Sequence, residues 1–129
     1  MSTVFKPFPK IRPRFFKTAA ELRKWFVAEH DKSKEIWIGF YKKGSGKISA
    51  TYAEALDQAL CFGWIDGIRK KVGPISYANR FTPRRPKSNW SKINVGHVER
   101  LIKDKQMEPS GLQQVALAKA DGRWKSALG

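Results

Sequence analysis

Asp66 is the last carboxylate before a long basic run, and the chemistry this chain could do is read most directly from that run. Arg69, Lys70, Lys71, Arg80, Arg84, Arg85, Lys87 and Lys92 all come before the next acidic residue, Glu99. Arginines at 84 and 85 can grip a phosphate or carboxylate with two parallel N–H bonds, whereas Lys87 and Lys92 offer adaptable point charges. Pro83 and Pro86 restrict the residues before them, so less freedom is lost when these cations meet a fixed anion. Arg69, Arg80, Arg84, Arg85, Lys87, Trp90 and Lys92 are therefore the expected ligand-binding residues. Asp66 is expected to orient an arginine, with Arg69, Arg80 or Arg84 as partner, and Trp64 to fix the platform. Tyr77, Phe81 and Trp90 can stack on bases or sugars if they are exposed, and otherwise belong to the core.

Other chemistries lack support. No nucleophile or metal partner can be assigned to Asp66, and Asp, Cys and His form no recognisable triad. Cys61 is the only cysteine and lies among apolar residues, which suits a small buried hydrophobe. His30 and His97 have no zinc spacing with it, and no cofactor is expected. The glycine-containing Lys42–Lys47 turn lacks the Walker spacing. No zinc finger, RNP-like strand pair or homeodomain pattern appears, so nucleic-acid binding would run through phosphate and depend steeply on salt.

The elements that must position this run are legible in order. Thr18-Ala19-Ala20-Glu21 has capping-box spacing, with Glu21 returning to the cap N–H, and opens a helix over 19–30 marked by Leu22, Trp25 and Phe26. Ile36–Tyr41 is aromatic and β-branched, as in a mostly buried strand. Thr51-Tyr52-Ala53-Glu54 is a second capping box, and its helix ends at Gly63 through a left-handed position. Trp64–Val72 reads as a strand bent near Gly67 and paired across Gly73-Pro74 with a strand over 75–81. Residues 82–87 resist both helix and central strand. Ser88 or Ser91 caps a helix over 91–106 with Ile93, Val98, Leu101 and Ile102 on its apolar side. Pro109 opens a last helix with Leu112, Val115, Ala116 and Ala120, after which Trp124 packs back.

This order predicts an α+β fold: a compact single domain with a small, mostly antiparallel sheet packed by about four helices. Its 129 residues divide into a flexible, basic, Pro- and Phe-rich arm over 1–14 and a domain over 15–129. The formal charge of +15 comes from 26 basic and 11 acidic residues. The arm and residues 67–98 carry most of that excess, while residues 21–66 balance. Such a field attracts polyanions. A lone cysteine, no secretory h-region and no long apolar run predict a cytoplasmic protein without integral membrane association.

Four blocks carry a family resemblance: Thr51–Leu56, Cys61–Gly67, Arg80–Pro86 and Trp90–Asn94. They resemble, in order, the signature blocks of the YdeI/OmpD-associated bacterial protein family. The Lys43-Gly44-Ser45-Gly46 turn and the Ala118–Trp124 stretch fit it too, so the likeness runs roughly from Phe15 to Ser126. The resemblance implies a small bacterial α+β domain, and the family's names refer to association with an outer-membrane porin and protection against cationic peptides. A chain of charge +15 would repel a cationic peptide at long range, so an indirect regulatory or stress role fits better.

The expected function is an uncharacterised binding domain for an anionic ligand, either a phosphate-containing small molecule or a nucleic acid. Two alternatives stand beside it. One is a small enzyme acting on a phosphate- or carboxylate-bearing substrate, which needs a pocket at Asp66 with a second polar catalytic group. The other is a protein-interaction or homodimer module, which needs an exposed apolar patch.

Overall fold

The chain order is β1 (Arg14–Phe15), α1 (Ala19–Glu29), β2 (Ile36–Tyr41), α2 (Tyr52–Cys61), β3 (Trp64–Gly73), β4 (Ser76–Pro83), α3 (Lys92–Lys103), α4 (Pro109–Ala120) and α5 (Arg123–Ala127). These come from a computed structural model that describes residues 11–129; residues 1–10 of the expected arm lie outside the described residues. The architecture is α+β, with a mostly antiparallel four-stranded sheet in the order β1-β2-β4-β3. Among the described residues its one parallel pair is β1 with β2, so Arg14, expected in the arm, already belongs to the sheet.

Local chemistry sets the helix starts. Thr51 and Glu54 form both hydrogen bonds of a capping box at the head of α2. At α1 the Thr18 hydroxyl accepts from Glu21 N–H, but the Glu21 carboxylate reaches one residue further back and accepts from Lys17 N–H at 2.9 Å. Gly63, at φ 81°, ends α2 as its glycine suggests, and Ser91 caps α3.

Register decides which residues face the helices. Ile36, Ile38 and Phe40 of β2 pair with Phe81, Asn79 and Tyr77 of β4, and this face carries the core with Leu22, Phe26 and the α2 residues Ala55, Ala59 and Leu60. Between Asp66 and Arg69 the β3–β4 register shifts, so Gly67 and Ile68 together oppose Arg80. This bulge is the bend expected near Gly67. It also keeps Asp66 and Arg69 on one face, although three residues of regular strand would separate them. On the other face the Phe15 ring lies over Gly39, where a Cβ would come within 2.5 Å of it, and stacks on Tyr41 at 4.5 Å.

α2 is the hub, touching α1, α3, α4 and β3. It crosses α4 tightly, since a Cβ on Gly111 would run into the Cys61 carbonyl.

Three expectations are corrected. β4 continues through Thr82 and Pro83 as a central strand; β2 stops opposite Phe81, so Pro83 has a strand neighbour on one side alone, where a missing N–H is tolerated. In α3 the buried stripe is Val95, Val98 and Leu101, while Ile93 is 73% exposed, because two residues along a helix is more than half a turn from Val95. In α4 the buried side is Gly111, Val115 and Ala118, leaving Leu112 in solvent, since the hub needs a small residue at the crossing. Trp124 does pack back, carried by the additional short α5. Among the described residues no helix is long and apolar enough to cross a membrane.

Candidate functional site

The chain leaving β4 is tied down at once. Arg84 N–H donates to the Gly63 carbonyl at 2.9 Å, joining the corner after α2 to the loop beyond the sheet. The Arg84 side chain then turns inward and is only 6% exposed. Its guanidinium carbon lies 3.7 Å from the Trp90 ring centroid, and Nη1 donates to Ser88 Oγ at 2.9 Å and to the Asn89 carbonyl at 3.0 Å. Trp90 is buried against Trp124 with ring centroids 4.9 Å apart. From α5, Arg123 donates to the Ser88 carbonyl at 2.6 Å and pairs with Asp121 at 2.8 Å. Two guanidiniums thus converge on Ser88.

Arg84 has no carboxylate partner among the described residues. Burial first, and the nearby Arg123 charge second, bring its pKa down to about 10, against the opposing field of Asp66. Arg84 Nε, Trp90 Nε1 and Arg123 Nη2 are buried and find no acceptor among the described residues. A recess of about 370 Å³ adjoins two of these residues, Trp90 and Arg123, and is lined also by Asn89, Ser126 and Ala127. A larger hollow of about 710 Å³ lies elsewhere, between α1 and β2; there Glu29 and Glu35 face Arg12 and Arg14, so its charges are mixed.

Asp66 sits apart from this node. Its carboxylate accepts a hydrogen bond from the Tyr52 hydroxyl rather than from any arginine, which corrects the expected partner. Burial and then the Asp66 contact push the Tyr52 pKa up to about 12. The bulge brings Arg69 beside this pair: its guanidinium lies 4.3 Å from the Tyr77 ring and 5.1 Å from Tyr52, with Nε donating to Asn79 at 3.0 Å. Trp64 is buried, edge-on to Phe26 and Trp25, and its indole N–H donates to the His30 carbonyl at 3.3 Å.

The basic segment is therefore not one cluster. Arg84 and Trp90 are inside, Arg69 lies over the tyrosines, and Arg80 pairs with Glu35 at 2.6 Å on the opposite sheet face. Arg85, Lys87 and Lys92 remain exposed, and among the described residues none has a carboxylate partner. Phe81 and Trp90 are core residues and present no stacking surface, while Tyr77 is half-buried beneath Arg69. Cys61 is buried, and its thiol pKa is raised by burial. Among the described residues no three His, Cys, Asp or Glu side chains come together as metal ligands.

Sequence reasoning missed Arg123, Ser88 and Tyr52 as members of these clusters. Tyr52 reads only as the first residue of a capped helix. Arg123 carries a faint signal, a cation between a helix-ending glycine and a tryptophan, but no spacing rule links it to Arg84.

The family described as Domain of unknown function (DUF8412) matches residues 14–114, and the chain belongs to that family. No curated protein and no solved structure matches the chain.

Proposed function

We propose that the protein is a binding domain for a phosphate-bearing polyanion, nucleic acid above all, gripped by its backbone through Arg85, Lys87 and Lys92. The observation that carries this reading is that these three cations are exposed, without carboxylate partners among the described residues, and mounted on a stretch anchored at both ends. Arg84 fixes one end to Gly63 and to the Ser88–Asn89 turn, and the Ser91 cap begins α3 at the other. A loop already held loses little freedom on binding. The charge of +15 adds long-range attraction and faster encounter. A cytoplasmic location, suggested by the lone cysteine and the absence of a secretory h-region, and an indirect regulatory or stress role, suggested by the YdeI/OmpD-associated resemblance, belong to the same proposal.

Fluorescence anisotropy with labelled single- and double-stranded oligonucleotides at two salt concentrations tests it. Binding should weaken steeply with salt, and the Arg85→Ala/Lys87→Ala/Lys92→Ala variant should lower the logarithmic salt slope by about 2–3, near one per lost phosphate contact. No binding at low salt, or an unchanged slope in the variant, would sink the proposal.

A further inference from the structure

We propose that Arg84, Arg123 and the Trp90 indole N–H form the inner wall of a second site, which takes the phosphate group of a small molecule entering through the recess beside α5. The site is independent of the polyanion reading, because it uses none of the exposed cations assigned there.

Three observations converge on it. Arg84 is a buried cation with no carboxylate in bonding reach among the described residues, Asp66 acting on it only at a distance, and a second guanidinium, that of Arg123, meets the same serine while pairing with Asp121. Asp121 offsets one of the two positive charges, so the pair keeps a net positive charge that a bound anion would offset. Next, three N–H groups from three different side chains are closed off from solvent with no acceptor among the described residues. Buried donors are nearly always bonded, so three orphans within one cluster point to a missing acceptor with several oxygens. Finally, two of the three residues, Trp90 and Arg123, also line the recess.

The number and origin of the donors select the ligand. Arg84 stacks on the face of the Trp90 ring, whereas the indole N–H leaves from its edge and Arg123 reaches in from α5. Three donors carried by two separate elements, the loop after β4 and α5, suit a tetrahedral oxyanion with several oxygens better than a carboxylate with two. A volume of about 370 Å³ is near the lower limit of small-molecule sites, which favours free phosphate or a compact phosphate ester over a polymer. Asn89 and Ser126 would face the remainder of an ester. Arg84's lowered pKa agrees with this picture, because a bound anion would restore the ordinary preference for the charged form.

The five tryptophans give five indole N–H signals in a proton–nitrogen NMR spectrum of the full chain, and Trp90→Phe identifies the one that matters. Titration with glycerol 3-phosphate and with inorganic phosphate, each against sodium chloride at equal ionic strength, should move the Trp90 signal saturably. Tighter binding of the ester supports an organic phosphate as ligand; equal binding supports the free ion. Arg123→Lys should weaken the titration about tenfold, and the Arg85/Lys87/Lys92 triple alanine variant should leave it unchanged. A Trp90 signal that responds no more to either phosphate than to chloride overturns the site. So does equal affinity in Arg123→Lys. Should Arg123→Lys fail to fold, Trp90→Phe, which keeps an aromatic ring and loses the N–H, should still weaken glycerol 3-phosphate binding by isothermal calorimetry.

Discussion

The polar side chains of this molecule are set by their nearest neighbours more than by the total charge. Tyr52 shows this well. Its hydroxyl bonds Asp66, and burial together with that bond raises its pKa from 10.0 to about 12. The fold therefore holds a proton that the unfolded chain releases earlier, so the associated stability is fully present below pH 10 and is lost as pH rises toward about 12. A phenolate absorbance titration should show a late tyrosine that vanishes in Tyr52→Phe, and this variant should cost about 1 kcal/mol at neutral pH. An unchanged titration would count against the assignment. Arg84 acts in the opposite sense. Its charged form is disfavoured in the fold, and that penalty fades as pH rises through about 10 and beyond. Asp66 is readable in the sequence as a carboxylate needing a donor, but its donor comes from a tyrosine fourteen residues earlier. Nothing in the spacing distinguishes that tyrosine from an ordinary first residue of a helix.

Elements are held by a few contact points where side chains must be small. α2 and α4 cross at Gly111, which has no room for a Cβ beside the Cys61 carbonyl. Gly111→Ala should destabilise the protein by on the order of 3 kcal/mol, because backbone rather than a flexible side chain must yield. Gly96, in α3, meets nothing within 4 Å of an added Cβ and has helical geometry. Gly96→Ala should instead stabilise by about 0.5–1 kcal/mol. Urea unfolding separates the two: the midpoints should move in opposite directions at an unchanged slope, and shifts of the same sign would show that the crossing is misplaced. The same crossing explains why the apolar stripe of α4 departs from the one its sequence suggests. Counting large apolar residues selects Leu112, whereas the hub requires the glycine beside it.

At the scale of the whole molecule, a charge of +15 acts on folding and on the proposed polyanion binding in opposite ways. Self-repulsion opposes the compact state, and salt screens it. The four ion pairs among the described residues, at Arg23, Arg80, Arg100 and Arg123, are all at least partly exposed and lose little when screened. Thermal unfolding should therefore move to higher temperature as sodium chloride rises from about 10 mM to about 200 mM, over the range in which the proposed oligonucleotide binding should weaken. A melting temperature that falls over this range would mean that local ion pairs outweigh the global repulsion.

The sequence by itself determined the α+β class, the capped start of α2, the stop at Gly63, the β3–β4 hairpin and the stretch in which the cations concentrate. Each depends on neighbours within a few residues: a threonine with a glutamate three places later, a glycine free to take positive φ, a Gly-Pro turn. Tertiary structure alone decided where the cations of that stretch go. The Gly67–Ile68 bulge set Arg69 on the helix-covered face, and the Trp90 ring with the Ser88 and Asn89 acceptors drew Arg84 inside. Arg123 joined it from α5, thirty-nine residues later in the chain. Burial of an arginine depends on the ring and oxygens that surround it, and those arrive from separate elements only when the chain has folded.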